Sequence, residues 1–263
     1  MRAYKKWIGI SNMTHSNSET ISVTNLEKKF GDFIAVNKIS FSVKKGEIFG
    51  FLGSNGSGKS TTIRMLCGII TPTSGGGTVA GHDIVTEPEE VKHSIGYMSQ
   101  KFSLYEDLTP FENLRFYLGV YNVRPDEWDE RIAWVLKMTR LENARDRLTK
   151  ELPPGWRQRL ALGCSLLHKP EVLFLDEPTS GVDPVTRRHF WNFITQIAHE
   201  GITVFVTTHY MDEAQFCQRI VMINEGVIVA YGTPKEIISA VCPGRLDADL
   251  NDAFITLMKK VKN

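Results

Sequence analysis

No stretch of the 263-residue sequence approaches the ~20 consecutive apolar residues that a membrane-spanning helix requires. The start, MRAYKKWIGISNMTHSN, is basic, but its apolar part runs only from Trp7 to Ile10, too short for a signal peptide. Residues 1–19 read as a loose tail, with a contact to a membrane or partner through Trp7 and Ile8 as the lesser alternative. Any action on a membrane is therefore expected to pass through a partner that crosses it.

An excess of one charge is missing too. Lys and Arg number 31, Asp and Glu 30, for a formal net charge of +1. Nucleic-acid binding, which calls for a basic stripe, is not expected. A local site can still hold an anion, because net charge says nothing about local fields. Cysteine is scarce: four residues, at 67, 164, 217 and 242, with no CxxC pair and no His cluster beside them. This argues against metal binding by cysteine and for free thiols in a reducing compartment. No tandem repeat is present.

What is present is a succession of strand and helix patterns. Ile21, Val23 and Leu26 alternate, as do Ile39, Phe41 and Val43, and each set reads as a strand. Ile48–Leu52 is a continuous apolar strand that runs into a Gly-rich loop, then a helix from Lys59 to about Cys67, stopped by Gly68. Residues 71–81, rich in Thr, Pro, Ser and Gly, read as loop and hairpin. Ile95–Met98 is a short strand. Residues 101–168 are helical in pattern, with apolar spacing near 3.6 over Glu112–Tyr121 and Trp128–Leu141. Val172–Leu175 and Thr203–Thr207 are buried strands, with a helix from Pro184 to His199 between them. Ile220–Tyr231 reads as a hairpin about Asn224-Glu225-Gly226. Alternating strands and helices imply an α/β core with a mostly parallel sheet, into which the helical block is inserted.

Two motifs carry chemistry. Gly53-Ser54-Asn55-Gly56-Ser57-Gly58-Lys59-Ser60 fits G-x-x-x-x-G-K-[ST], between a strand and a helix. Its glycines let backbone N–H groups wrap phosphates, and the helix N-terminus favours anions. Lys59 is expected to reach the β/γ-phosphates and Ser60 to ligate Mg²⁺. The second motif is Val172-Leu173-Phe174-Leu175-Asp176-Glu177-Pro178. Asp176 can hold Mg²⁺ through water, and Glu177 can orient and deprotonate an attacking water.

With these motifs the sequence resembles the nucleotide-binding domains of ABC transporters, over roughly residues 20–240. The resemblance implies a P-loop NTPase (RecA-like) core with an antiparallel β subdomain and an inserted helical subdomain. On this reading the ATP-binding domain spans 20–245, with core segments 20–100 and 169–245 and a helical subdomain at 101–168. A short C-terminal helix follows at 246–263. The resemblance also assigns residues. Phe30 matches the aromatic that stacks on adenine, and the phosphate loop with Thr61 holds ATP. Gln100 matches the Q-loop glutamine near Mg²⁺ and the water. Ser180-Gly181-Val182-Asp183 matches the D-loop, and His209 the switch histidine that contacts the γ-phosphate.

One stretch departs from the family. The signature Leu-Ser-Gly-Gly-Gln is replaced by Leu152-Pro153-Pro154-Gly155-Trp156. In the family this segment caps ATP held by the other subunit of a head-to-tail dimer. Pro153 removes the hydroxyl and one N–H, and Pro154 removes a second; Gly155 and the helix dipole remain. Either the variant still closes on ATP, or the chain is one half of an asymmetric pair whose partner supplies the good signature.

The resemblance thus implies an ATPase of a membrane transporter, most like ABC-2-type exporters, with ATP and Mg²⁺ as cofactors. Its implied partners are membrane-spanning permease subunits and a second ATP-binding subunit. Its implied place is cytoplasmic, on the inner face of the cell membrane. A groove near Phe102–Leu108 would receive a helix of the permease, although Phe102, Leu104 and Tyr105 could equally be ordinary packing. Two alternatives stay open: a poorly hydrolysing regulatory half, and a non-transport ABC ATPase.

Overall fold

The computed structural model describes residues 19–100, 103–245 and 247–261. The expectations for Trp7, Ile8 and Phe102 lie outside them. The chain opens with a long hairpin, β1 (Glu19–Phe30) and β2 (Phe33–Lys44), turned at Gly31-Asp32. Next comes β3 (Ile48–Leu52), which leaves for a different sheet and leads into α1 (Lys59–Leu66). β4 (Ser74–Val79) and β5 (His82–Asp83) then return to the first sheet, whose order is β2-β1-β4-β5, all antiparallel.

Residues 71–81, read as loop and hairpin, form the first arm of the β4–β5 hairpin, and that arm is a strand of the first sheet. A run of three glycines is a poor strand by propensity. Ser74–Val79 becomes a strand because it lies against β1, with Ile21 opposite Val79 and Val23 opposite Gly77. A Cβ at Gly75 would stand 2.0 Å from the Asn25 carbonyl oxygen, so only glycine permits this approach. α2 (Pro88–Ser94) follows, a helix that the apolar spacing does not announce.

The second sheet has the order β10-β9-β3-β8-β7-β6. Its members are β6 (Ile95–Met98), β7 (Val172–Asp176), β8 (Thr203–Thr208), β9 (Arg219–Asn224) and β10 (Val227–Gly232), with β3 in the middle. All neighbours are parallel except the β9–β10 hairpin. Its central strands are buried on both faces, as parallel strands usually are. In β3, Phe49 and Phe51 face the antiparallel sheet, while Ile48 and Leu52 face the opposite side. Phe174 of β7 and Phe205 of β8 join the first side, and Leu173, Leu175, Val204 and Val206 the second.

Phe205 holds the core between the two sheets. Its ring lies 6.0 Å from Phe41, 5.6 Å from Phe49, 5.4 Å from Phe51 and 5.4 Å from Phe174, centroid to centroid. The other face is covered by α6 (Pro184–His199), through Phe190, Trp191, Ile194 and Ile197. α7 (Pro234–Val241) and α8 (Leu250–Val261) extend that layer through Ile237, Val241 and Leu257. Between β6 and β7 lie α3 (Pro110–Val120), α4 (Trp128–Thr139) and α5 (Pro154–Cys164). They share a core of their own, with Leu114, Leu118, Ile132, Val135, Leu160 and Leu167. A capping box of Thr109 and Glu112, with Pro110 in the first turn, starts α3.

The four cysteines are free thiols and all are buried. Burial pushes the thiols of Cys67, Cys164 and Cys217 well above the ordinary value. At pH 8 these three are expected to resist a soluble thiol reagent in the native protein, and to react once guanidinium unfolds it. Truncating Phe205 to Ala should cost about 3–5 kcal/mol, because four rings lose their common neighbour. Urea unfolding measures it, and a loss below about 1 kcal/mol would mean that the core collapses into the space.

Candidate nucleotide site

The site lies at the carboxyl ends of three adjacent parallel strands, β3, β8 and β7. Crevices outside such strand ends are where open α/β sheets bind ligands. From β3 the chain runs through Gly53–Gly58 into α1. Gly58 has φ 108° at the start of α1, and a Cβ there would stand 2.5 Å from the Ala35 carbonyl oxygen. Glycine is thus required both for the left-handed backbone and for the approach to β2. No side chain caps α1, so its first N–H groups are left to whatever anion the loop receives.

Lys59 is nearly buried, and its ammonium is held on three sides. It donates to the carbonyls of Gly53, at 3.0 Å, and Ser54, at 3.1 Å. It also pairs with Glu177 Oε1 at 3.0 Å. Ser60 Oγ lies 3.2 Å from Asp176 Oδ1, which also accepts from Thr207 Oγ1 at 2.8 Å. Asp176 ends β7 and Thr207 belongs to β8, so strand register alone sets this contact.

Glu177 follows β7 with φ 48°, an unusual value for a residue with a side chain. Its N–H is tied to Thr207, at 3.2 Å from the carbonyl oxygen and 3.0 Å from Oγ1. That pair of contacts over-determines the conformation, a pattern common at functional sites. Around its carboxylate stand Lys59, Gln100 Nε2 at 3.3 Å from Oε2, and His209 Nδ1 at 3.2 Å from the same oxygen. Nearby, burial reinforced by Asp176 pushes the Tyr97 hydroxyl up to about 12, so it stays protonated over the working range.

An open cavity of about 420 Å³ fronts these groups. Its walls include Phe30, Asn55, Gly56, Lys59, Thr61 and Gln100. Phe33 also lines it, a residue that sequence reasoning missed. Phe30 and Phe33 face each other across the β1–β2 turn and are 52% and 64% exposed. Large exposed aromatics on a cavity rim offer a platform for a planar ring. The signal was available in the Phe30-Gly31-Asp32-Phe33 spacing, which places both aromatics at the tip of one hairpin.

The fold brings together Phe30, the loop 53–61, Gln100, Asp176, Glu177 and His209. It does not bring Gly155 or Asp183 to this cavity. Gly155 lies in the first turn of α5, packed on Thr186, and lines a separate cavity with Arg140, Trp156 and Arg159. Asp183 caps α6, accepting from the N–H groups of Val185 and Thr186 at 3.0 Å each. The donors at 60 and 176 are a hydroxyl and a carboxylate, hard oxygens suited to Mg²⁺. Among the described residues no cluster of three or more His, Cys, Asp or Glu forms a metal cage.

A glycine loop on a helix N-terminus, a lysine inside it and two carboxylates at the next-but-one strand end define a P-loop nucleotide-binding domain. The family described as ABC transporter matches residues 36–180, and the chain belongs to this family as an ATP-binding domain. A shorter match, to a family described as an AAA domain, covers residues 158–211.

The chain is 48% identical over 239 residues to "Probable multidrug ABC transporter ATP-binding protein YbhF" of Escherichia coli, covering 90% of this chain and 41% of that protein. It thus spans about two fifths of the length of that relative. To "Linearmycin resistance ATP-binding protein LnrL" of Bacillus subtilis it is 39% identical, covering 92% of this chain and 79% of the relative. Among solved structures, cbiO1 from Clostridium perfringens, part of the ABC transporter complex cbiONQ, superposes with a TM-score of 0.78 at 29% identity. That match covers 85% of this chain and 92% of the other. The ATP-binding cassette MJ0796, a dimer in a post-hydrolysis state bound to ADP and Pi, gives 0.72 at 26% identity, covering 81% and 98%.

Replacing Gly58 by Ala is expected to weaken nucleotide binding at least about tenfold, because either φ or the Ala35 contact must give. Titration with a fluorescent ATP analogue measures this, and unchanged affinity in a folded variant would remove the close-approach argument.

Proposed function

We propose that the chain is the ATP-binding and ATP-hydrolysing subunit of an ABC exporter of the ABC-2 type. The observation that carries the catalytic part is the convergence of Lys59, Gln100 and His209 on the Glu177 carboxylate. Relatives named for multidrug, linearmycin and daunorubicin/doxorubicin resistance support the export reading.

In the mechanism that follows, Phe30 and Phe33 hold adenine, and the loop 53–61 with Lys59 holds the phosphates. A phosphate oxygen presented to Lys59 competes with Glu177 for the ammonium, and so releases the carboxylate to act on water. Glu177 then accepts a proton from that water as the water oxygen bonds to the γ-phosphorus and the bond from that phosphorus to the β–γ bridging oxygen breaks, leaving ADP and inorganic phosphate. Gln100 and His209 position Glu177 and the γ-phosphate. Ser60 and Asp176, with Gln100 nearby, would hold Mg²⁺, which neutralises phosphate charge.

Two subunits close head to tail over the nucleotides, excluding bulk water. In such a pair Gly155 and Asp183 reach the site of the opposite subunit, which accounts for their distance from their own. Permease subunits hold the chain at the inner face of the cell membrane. No helix among the described residues is long and apolar enough to cross a membrane. Tyr105 and Phe116 are exposed and in edge contact at 4.6 Å, and they form the surface offered to a permease helix. Leu104 instead packs inward between two cores.

A second reading is favoured by α5. Pro153 and Pro154 open it without a side-chain cap, and the N–H groups of Trp156 and Arg157 turn back to the Pro153 carbonyl. Gly155 is therefore the first amide available to a phosphate. This supports an asymmetric pair, in which ATP on this chain is hydrolysed against a partner's signature.

Glu177→Gln is expected to lower kcat by roughly 10²–10⁴-fold while ATP still binds. Steady-state turnover and equilibrium binding measure the two effects. Turnover that is the same in Glu177→Gln and the parent would sink the ATPase reading. A parent rate rising with the square of chain concentration would favour a homodimeric site over the asymmetric pair.

A further inference from the structure

Two segments leave the catalytic strand ends side by side. Residues 178–183 follow Glu177 from β7, and residues 209–213 follow β8, beginning with His209. A single guanidinium touches both. Arg187, in the first turns of α6, has a side chain only 16% exposed. Its Nη2 donates to the Val182 carbonyl at 3.4 Å. Its Cζ lies 3.8 Å from the centre of the Tyr210 ring, well inside cation–π range. The Tyr210 ring in turn lies 4.1 Å from the His209 ring, tilted by 37°.

A buried carboxylate closes the circuit. Glu213 is 1% exposed and accepts from Thr179 Oγ1 at 2.5 Å. The same oxygen lies 3.5 Å from Arg187 Nε, while Asp212 flanks Nη1 at 3.6 Å. Glu213 Oε2 has no hydrogen-bond partner. A carboxylate this deep is costly unless charge and hydrogen bonds compensate it. Among the described residues, its compensation comes from Thr179 and Arg187. Shifting either segment breaks the Thr179 bond or the Arg187 contact, so the pair locks their relative position.

We infer that Arg187 and Glu213 are positioning residues that set His209 against Glu177 by fixing segment 209–213 to segment 178–183. The inference rests on the proposed ATPase reading. Neither residue touches nucleotide; both act through Tyr210 and Thr179. The binding groups, Phe30 and the loop 53–61, lie on other elements. Loss of the lock therefore lowers turnover and spares affinity.

The test uses the full chain. In Arg187→Ala, kcat is expected to fall roughly 10- to 100-fold, the cost of a misplacement near 1 Å. KM for ATP should stay within about twofold, the mark of an interaction realised in the transition state. Arg187→Lys keeps the charge but loses the planar fork, and should fall in between. In a His209→Ala background, Arg187→Ala should add no further loss. Multiplying losses there, or a raised KM with kcat unchanged, would overturn the inference.

Urea midpoints check that each variant folds. If Arg187→Ala does not, Arg187→Lys and Glu213→Gln carry the test, since Gln keeps an acceptor for Thr179. A parent that hydrolyses no ATP, alone or with its partner, defeats the ATPase reading instead. The imidazole resonances of His209 then decide the inference: they shift in Arg187→Lys and Glu213→Gln if the lock exists, and stay unmoved if it does not.

Discussion

The ion pair between Lys59 and Glu177 is the contact on which the rest of the site turns. Both side chains are nearly buried, at 4% and 10% exposure. Such a pair is worth little as stability, because desolvating two charges offsets most of their attraction. It persists because each partner is further held. Lys59 has two loop carbonyls, and Glu177 has Gln100 and His209. The pair also joins two elements far apart in sequence, the loop after β3 and the end of β7. That is possible only because both flank β8. The order β3-β8-β7 is thus a chemical requirement as much as a topological fact: it places one lysine opposite one carboxylate, with Thr207 between to hold Asp176 and the Glu177 backbone.

The order in turn depends on packing. Three parallel strands buried on both faces need an apolar layer on each side. Phe205 provides the contact with the antiparallel sheet, and α6 covers the reverse face through Trp191. α6 therefore has two tasks. Its apolar face supports the strands, and its first turns carry Arg187 to the segments that follow them. A core residue and a site residue eight or fewer positions apart on one helix couple the stability of the fold to the geometry of the site.

Much of this was legible in the sequence. β3, β7 and β8 announce themselves as short apolar runs, and the 53–60 spacing names its own chemistry. The helix at Pro184–His199 follows from apolar spacing and from Asp183 before Pro184, a strong start signal. β4 was legible only as part of a hairpin at 71–81, because Gly75–Gly77 have no side chains to alternate and it is the approach to β1 that makes them a strand. α2 and α7 are short, and only one to two residues of each are deeply buried, so periodicity is faint. α7 nonetheless carried a capping box in Thr233 and Glu236. At the site, Phe33 was legible in its spacing from Phe30 across the hairpin turn, although its exposure leaves no burial pattern to mark it. The Arg187–Glu213 contact was hidden by distance along the chain, since no local pattern links residues that meet only through neighbouring strands.

The departure at Leu152–Trp156 gains meaning from the same geometry. In the proposed mechanism the groups that act on water, Lys59, Gln100 and His209, converge on Glu177, and none of them comes from α5. The start of α5 faces its own cavity and presents a helix dipole with one amide, Gly155, ahead of the first internal bonds. Anion binding at a helix start depends on both the dipole and several N–H donors, and two prolines leave the first while removing most of the second. In the proposed pair, an ATP held by this chain faces the partner's signature and not this chain's own α5. In that proposed pair, an ATP held by the partner and facing this α5 would lose a hydroxyl and two amides, each net hydrogen bond to a charged group being worth about 1.5–3 kcal/mol. In the proposed head-to-tail pair with a partner that carries an intact signature, the sequence change therefore falls on one of the two nucleotides; in a pair of two such chains it would fall on both.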